Sequence, residues 1–367
     1  MTTALLPEGL RDRLPPQAEA AAAILRAALD AIRAHGYERV APPLAEYEES
    51  LVGRLKSGTA RDLLRVVDPL SQRTLALRPD ITTQVGRIAA TRLAHRPRPL
   101  RLSYGGPVVK LRASQLRPER EMTQIGAELI GSDSAAAAAE IVALAVEALA
   151  AAGAKSITVD LTLPDLVDTL AAGPLPLGAA EAQRIRELLD AKDAGALAAA
   201  GATAYLPLVE AAGPFPQAIE RLRAFDSTGA LASRLSALEA VAARLDGIAT
   251  VTLDPTERHG FEYQSWLGFS LFAEGLTGEV GRGGAYTILH EDGREEPAIG
   301  FSIYPDPLLD LIADDQPARR LFLPLGHDRE AAAALRAQGW ITVAALDESS
   351  QPAGCTHVLA GREPRVI

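Results

Sequence analysis

LRLSYGGPVVKLRASQLRPEREMTQIGAELIG, residues 100–131, places two strand-like runs on either side of a loop crowded with arginines. The runs are expected as strands over roughly Leu100–Val109 and Glu121–Leu129. Lys110, Arg112, Arg117 and Arg120 fall within eleven residues of an otherwise acidic chain. Such a cluster suits phosphate or carboxylate groups, although the charge count alone fits a solvated loop. On the second run Gln124, Gly126 and Glu128 alternate with Ile125, Ala127 and Leu129. A period of two puts Gln124 and Glu128 on one face, and Gly126 leaves space between them. A half-polar surface strand would show the same alternation; the glycine between the polar residues favours a small-molecule site.

Working outward, apolar residues recur at helical spacing from Gln17 to His35, and Gly36 stops that helix. YERVAPPLAEYE reads as a short strand halted by Pro42 and Pro43. LLRVVDPLSQRTLAL reads as a hairpin turning at DPLSQ. A helix starts at or just after Pro79, where Asp80 and Thr82 suit capping as well as they suit a ligand. A long helix is expected over Ser134–Ala152, then a strand in KSITVDLTL. From about 164 to 245 the pattern is helical and reads as an insertion. Strands resume at IATVTLD, FEYQSWLGFSLFAE, GRGGAYTIL and EPAIGFSIY, and the tail reads β, α, β, β. Strands joined by hairpins rather than regular βαβ repeats imply an α+β fold, an antiparallel sheet flanked by helices. The expected division is a core over 1–315 and a small α/β segment over 318–367.

The 367 residues are 48% hydrophobic and carry a net charge of −10, which argues against a dedicated nucleic-acid binder. A single cysteine, Cys355, excludes a disulfide framework. Histidines at 35, 95, 259, 290, 327 and 357 show no metal-ligand spacing, so no metal site is expected, and no cofactor either. GRGGAY lacks the order and the strand-to-helix setting of a dinucleotide loop. No secretory leader or membrane span is evident, so a soluble cytoplasmic protein is expected.

Taken in order, these segments resemble a class II aminoacyl-tRNA synthetase core, specifically that of histidyl-tRNA synthetase. GYERVAPPLAE resembles motif 1, which builds a two-fold dimer in that family; residues 100–131 resemble motif 2; HGFEYQSWLGFSLF resembles the histidine-specific segment; and GRGGAY with AIGFSIYPDPLL resembles motif 3. The resemblance implies that Asp80, Thr82 and Gln124 hold an amino group and that Glu128 accepts from an imidazole. Glu262 and Tyr263 join the candidate pocket, although Gln264 stands where the family has a second tyrosine. Arg120 or a neighbouring loop arginine is expected near the ligand carboxylate, because a guanidinium suits that group bidentately.

The phosphate side departs from the family. Lys110 replaces the arginine that grips the α-phosphate, and Arg112 replaces a glutamate. Pro307 replaces the motif 3 arginine, and His259 replaces a catalytic arginine, with Arg258 one residue off register. Positioned charge stabilises such transition states, so adenylate formation is expected to be lost and no catalytic residue is assigned.

One family fits both the likeness and the losses. LLPEGLRDRLPP, ALRPDITTQVGRIAATRL and ELLDAKD resemble the regulatory subunits of ATP phosphoribosyltransferase. That resemblance implies a short-form ATP phosphoribosyltransferase catalytic subunit as partner, a homodimer core within a hetero-oligomer, L-histidine as effector, and no aminoacylation, tRNA or membrane. The alternatives are an active histidyl-tRNA synthetase and another inactive amino-acid-binding paralogue. The tail, about fifty residues, is shorter than the usual anticodon-binding domain and resembles a truncated one.

Overall fold

The computed structural model describes residues 6–51, 63–111, 118–258, 264–311 and 319–367. Arg112, Arg117, His259, Glu262 and Tyr263 therefore lie outside the described residues. Two compact units divide the chain at Leu311/Ile312.

The larger unit opens with α1 (Gln17–Ala34), whose Ile24, Ala28, Leu29 and Ile32 form one buried stripe. Burying each leucine or isoleucine contributes roughly 1.5–3 kcal/mol. YERVAPPLAEYE is not one strand but two, β1 (Glu38–Arg39) and β2 (Ala45–Tyr47), in different sheets. The Pro42–Pro43 pair removes two ladder donors and forces the break. α2 (Glu48–Leu51) follows, then the hairpin of β3 (Leu64–Val67) and β4 (Thr74–Leu77), which pairs with β2. α3 (Thr82–Ala90) leads to the long strands β5 (Leu100–Val109) and β6 (Glu121–Ile130). α4 (Ala135–Ala151) is capped by Ser134, whose hydroxyl accepts from the Ala137 N–H.

β7 (Thr158–Thr162) precedes a mostly helical stretch: α5 (Leu166–Ala171), α6 (Ala179–Asp190), α7 (Ala194–Ala199) and α8 (Leu206–Val209), the two-residue β8 (Gly213–Pro214), then α9 (Phe215–Phe225) and α10 (Ala232–Arg244). β9 (Thr250–Leu253), β10 (Gln264–Phe272), β11 (Gly281–Leu289) and β12 (Glu295–Ile303) complete the main sheet. Its order is β1-β5-β6-β12-β11-β10-β7-β9-β8. The middle, from β5 to β7, is antiparallel. At the flanks β1–β5 and β7–β9 pair in parallel. Helices lie between those partners in the chain and bring it back to its starting end, as a parallel connection requires.

The sheet has two differently used faces. Ile125, Ala127 and Leu129 point into a core shared with α1, α4 and α10. The many alanines of α4 let it lie close to the sheet and both neighbours. On the opposite face Ile81, just before α3, and Val85 and Ala89 within it pack against Leu102, Tyr104, Tyr286 and Ile288. That face also carries Gln124 and Glu128, so α3 and its preceding loop form the roof of a polar enclosure.

The smaller unit contains β13 (Arg320–Leu323), α11 (Arg329–Ala337), β14 (Ile341–Ala344), β15 (His357–Ala360) and β16 (Glu363–Val366). The strand order is β14-β13-β15-β16, one strand more than the sequence pattern suggested. Leu321, Leu323, Ala332, Leu335 and Leu359 form its core. Among the described residues, no helix is long and apolar enough to cross a membrane.

Candidate functional site

A line of glycines makes the sheet floor flat enough to hold side chains. Gly126 on β6, Gly284 on β11 and Gly300 on β12 each face atoms that a Cβ would strike. At Gly126 the obstruction is the Phe301 carbonyl together with the Tyr104 ring and hydroxyl; at Gly300 it is chiefly the Glu128 carboxylate. The glycines thus make room for a layer of polar groups lying on the sheet.

That layer is an ordered hydrogen-bond chain. The Gln124 amide donates to Asp80 Oδ2 and to Ser302 Oγ, both at 2.7 Å. Its carbonyl accepts from the Ile81 N–H at 2.8 Å. Tyr104 donates its hydroxyl to Glu128 Oε1 at 3.0 Å, and Tyr286 donates to Glu128 Oε2 at 2.8 Å. Ser302 Oγ and Thr82 Oγ1 each lie 3.0 Å from the Tyr104 hydroxyl. Since Tyr104 gives its one proton to Glu128, those two hydroxyls donate to it. Asp80 stands two residues before α3, and the nearby Thr82 and Thr83 N–H groups favour its charged form.

Burial dominates the electrostatics. Gln124 and Glu128 are 0% and 1% exposed. Desolvation pushes the Glu128 carboxyl up to about 8; the two tyrosine hydroxyls oppose this, and the nearby Asp80 charge adds to it. Desolvation likewise pushes Asp80 above the usual carboxylate range, against the Gln124 and Thr82 bonds. Burial thus favours the protonated form of both acids, and a positive ligand group beside them would favour the charged form.

Asp80, Thr82, Glu128, Gln264, Arg282, Tyr286, Ser302 and Tyr304 line a cavity of about 40 Å³. That space holds a few waters at about 10–15 Å³ each, so an amino acid enters only if the walls open. Gln124 is not among the lining residues: with both halves of its amide engaged, it positions Asp80 and Ser302 from behind. Arg120 is not at the pocket. Its Nε donates to the Lys110 carbonyl at 3.1 Å and its Nη1 to the Glu8 carbonyl at 3.3 Å. It pins the N-terminal lead-in to the end of the β5–β6 hairpin, four residues along the strand from Gln124. The cation in the cavity wall is Arg282, held by Glu279 at 2.7 and 2.8 Å.

A second, larger cleft of about 330 Å³ includes Pro307. Arg11, Glu119, Met122, Leu276, Tyr304, Asp306, Asp310 and Leu311 also line it. Three carboxylates against one arginine give its lining charges a sum of −2. The arginine is already paired, with Arg11 at 3.4 Å from Glu119. Asp306 binds Arg13 at 2.8 Å and accepts from the Thr123 N–H at 2.8 Å. Lys110 is exposed, with its ammonium 5.8 Å from the centre of the Tyr304 ring.

The residues that sequence reasoning missed are Arg78, Tyr104, Gln264, Arg282, Tyr286 and Ser302. Arg78 is 5% exposed and donates to the Pro107 and Pro42 carbonyls, each at 2.8 Å. It ties the strand before α3 to the end of β5, beneath Gly106, where a Cβ would strike it. Its signal was the LRPD tetrapeptide itself, since an arginine between a strand and a proline has little reason to be apolar-facing unless it has partners. Tyr286 and Ser302 sat on strands of correct alternation, but no local feature marks them as facing Glu128.

An antiparallel sheet floored by glycines, with a buried acid and a roofing helix, defines a class II aminoacyl-tRNA synthetase-like fold. The histidyl-tRNA synthetase family model matches residues 9–308. Among solved structures, one described as an ATP phosphoribosyltransferase regulatory subunit/histidyl-tRNA synthetase from Bacillus halodurans shares the fold, with a TM-score of 0.80 at 24% identity over 98% of both chains. A histidyl-tRNA synthetase from Nostoc shares it with a TM-score of 0.76 at 16% identity, over 95% of this chain and 88% of that one. Two curated relatives are named ATP phosphoribosyltransferase regulatory subunit. The one from Paramagnetospirillum magneticum is 44% identical over 97% of this chain and 96% of its own. The one from Rhodospirillum rubrum is 45% identical over 97% and 95%. The chain belongs to the family of ATP phosphoribosyltransferase regulatory subunits, on the histidyl-tRNA synthetase fold.

Proposed function

We propose that this protein is the non-catalytic subunit of an ATP phosphoribosyltransferase, needed for the activity of a separate short catalytic subunit and for its feedback control by L-histidine. The observation that carries the reading is the acidic cleft around Pro307. A synthetase needs cations there for a triphosphate; here, among the described residues, Arg11 and Arg13 are paired with Glu119 and Asp306, and Asp310 adds a further carboxylate. The amino-acid side keeps a built polar chamber of Asp80, Thr82, Glu128 and Tyr286, which fits a sensor that binds an amino acid without activating it. The relatives' names support the same reading. A homodimer through the β1 region, two folded domains and a cytoplasmic location go with it.

The test is reconstitution. The purified protein is mixed with its short-form catalytic subunit, and formation of phosphoribosyl-ATP from ATP and phosphoribosyl pyrophosphate is followed with and without L-histidine. The reading requires activation by the protein and inhibition by histidine. A catalytic subunit as active alone as in the mixture would overturn it.

A further inference from the structure

Two arginines that line one crevice each carry a buried donor without a partner. The crevice lies where α5 and α6 meet residues 255–258, the segment after β9, and Leu163, Leu166, Val167 and Leu189 wall it. Arg186, on α6, has a side chain only 14% exposed; its Nη1 donates to the Gln183 side chain at 2.9 Å and its Nη2 pairs with Asp168. Its Nε is buried and has no partner among the described residues. The Nη1 of Arg258 is buried and unpaired as well, and no ion pair joins its guanidinium to another described residue. Buried polar groups are ordinarily paired, so two such orphans in one place mark an absent acceptor.

Both walls are fixed by contacts of their own. The Arg258 backbone N–H donates to Asp190 Oδ1, at the end of α6, at 2.7 Å. The Thr162 hydroxyl donates to the Glu257 carbonyl at 2.6 Å, which ties the segment to β7. Lys192, just after α6, donates to Asp254 Oδ1 at 2.6 Å. The spacing of α6 and this segment is therefore set by rigid elements, as a built site requires.

Charge and space name the missing group. Arginine stays protonated, and a cation taken from water is costly unless an opposite charge meets it. Glu257 also lines the crevice, but burial, and after it the Asp190 and Asp254 charges, push its carboxyl above the ordinary carboxylate range, toward the uncharged form. The open space is about 10 Å³, room for one water-sized sphere and too little for a phosphate or a carboxylate. Water answers the geometry but not the charge. We propose that Arg186 and Arg258 hold a chloride ion, with Arg186 Nε and Arg258 Nη1 as its donors. The ion joins α6 to the segment after β9 and so braces the helical stretch against the main sheet.

Thermal unfolding of the full-length protein in sodium chloride and in sodium gluconate of equal ionic strength tests this, together with crystals grown in sodium bromide. Chloride should raise the wild-type midpoint by about 2 °C over gluconate, whose anion is too large for the crevice. Arg186→Gln and Arg258→Gln should each abolish that difference, and an anomalous bromide peak should lie between the two side chains. Equal midpoints in the two salts, with or without a bromide peak, mean a water or an adventitious ion only and overturn the inference. A difference that survives in either folded variant puts the ion elsewhere and overturns it too. If neither variant folds, the wild-type protein decides: a chloride effect without a bromide peak at this site overturns the inference, and both together sustain it.

Discussion

Glu128 and Gly300 face each other across the β6–β12 pair, and the carboxylate of the first occupies the space where the second has no side chain. Gly300→Ala cannot be accommodated unless Glu128 leaves its tyrosine partners. Overpacking of this kind costs about 1–3 kcal/mol. The expected outcome is a lower melting temperature together with weakened L-histidine binding. A variant that melts and binds as wild type does would show that Glu128 is not held as described.

Glu128 also sets a pH dependence. Its folded value of about 8 lies above its ordinary value of 4.5. Between those two pH values the folded chain keeps a proton that the unfolded chain has released. The contribution to stability is complete below the unfolded value and is lost as pH rises through about 8. Wild type should therefore lose a few kcal/mol, an order-of-magnitude figure, relative to Glu128→Gln between acid and mildly alkaline buffer. Urea unfolding of both proteins at pH 5.5 and 8.5 measures it; parallel losses would place the carboxyl in a wetter setting.

Arg78 holds two segments together through the Pro42 and Pro107 carbonyls. Arg78→Met keeps the apolar stem and removes the fork, so about 1–3 kcal/mol of stability should go. Arg78→Lys should recover only part, because an ammonium cannot span two carbonyls in one plane. Chemical denaturation gives both values. Full recovery by lysine would mean that charge, not the fork, matters.

Adenylate formation should be undetectable. ATP–pyrophosphate exchange with L-histidine present is expected at background, and Pro307→Arg or Lys110→Arg alone should leave it there. Groups that act on one transition state do so as a unit, and Glu119, Asp306 and Asp310 would still line the cleft. Exchange above background in either single variant would contradict this.

Most of the elements were legible because their signals are local. The alternation of Gln124, Gly126 and Glu128 against Ile125, Ala127 and Leu129 assigned the two faces of β6 correctly. The helix after Pro79 and the hairpin at DPLSQ also stand where spacing and turn residues put them. Arg120 shows the limit: its charge was visible, but whether it reached a ligand or two backbone carbonyls depended on the path of the N-terminal lead-in, over a hundred residues away.

The sequence by itself determined the class of fold, put a lysine at 110 and a proline at 307, and supplied the two acids Asp80 and Glu128. Those properties follow from residue identity and short periodicity. Only the tertiary structure decided that β12 lies between β6 and β11, which brings Ser302 and Tyr286 to residues 124–128 from more than 150 positions along the chain. It alone turned Gln124 into a support and put Arg282 in the wall in place of Arg120. Strand order and register are set by the packing of whole faces, and hydrogen-bond partners by register; neither is written in the spacing of nearby residues.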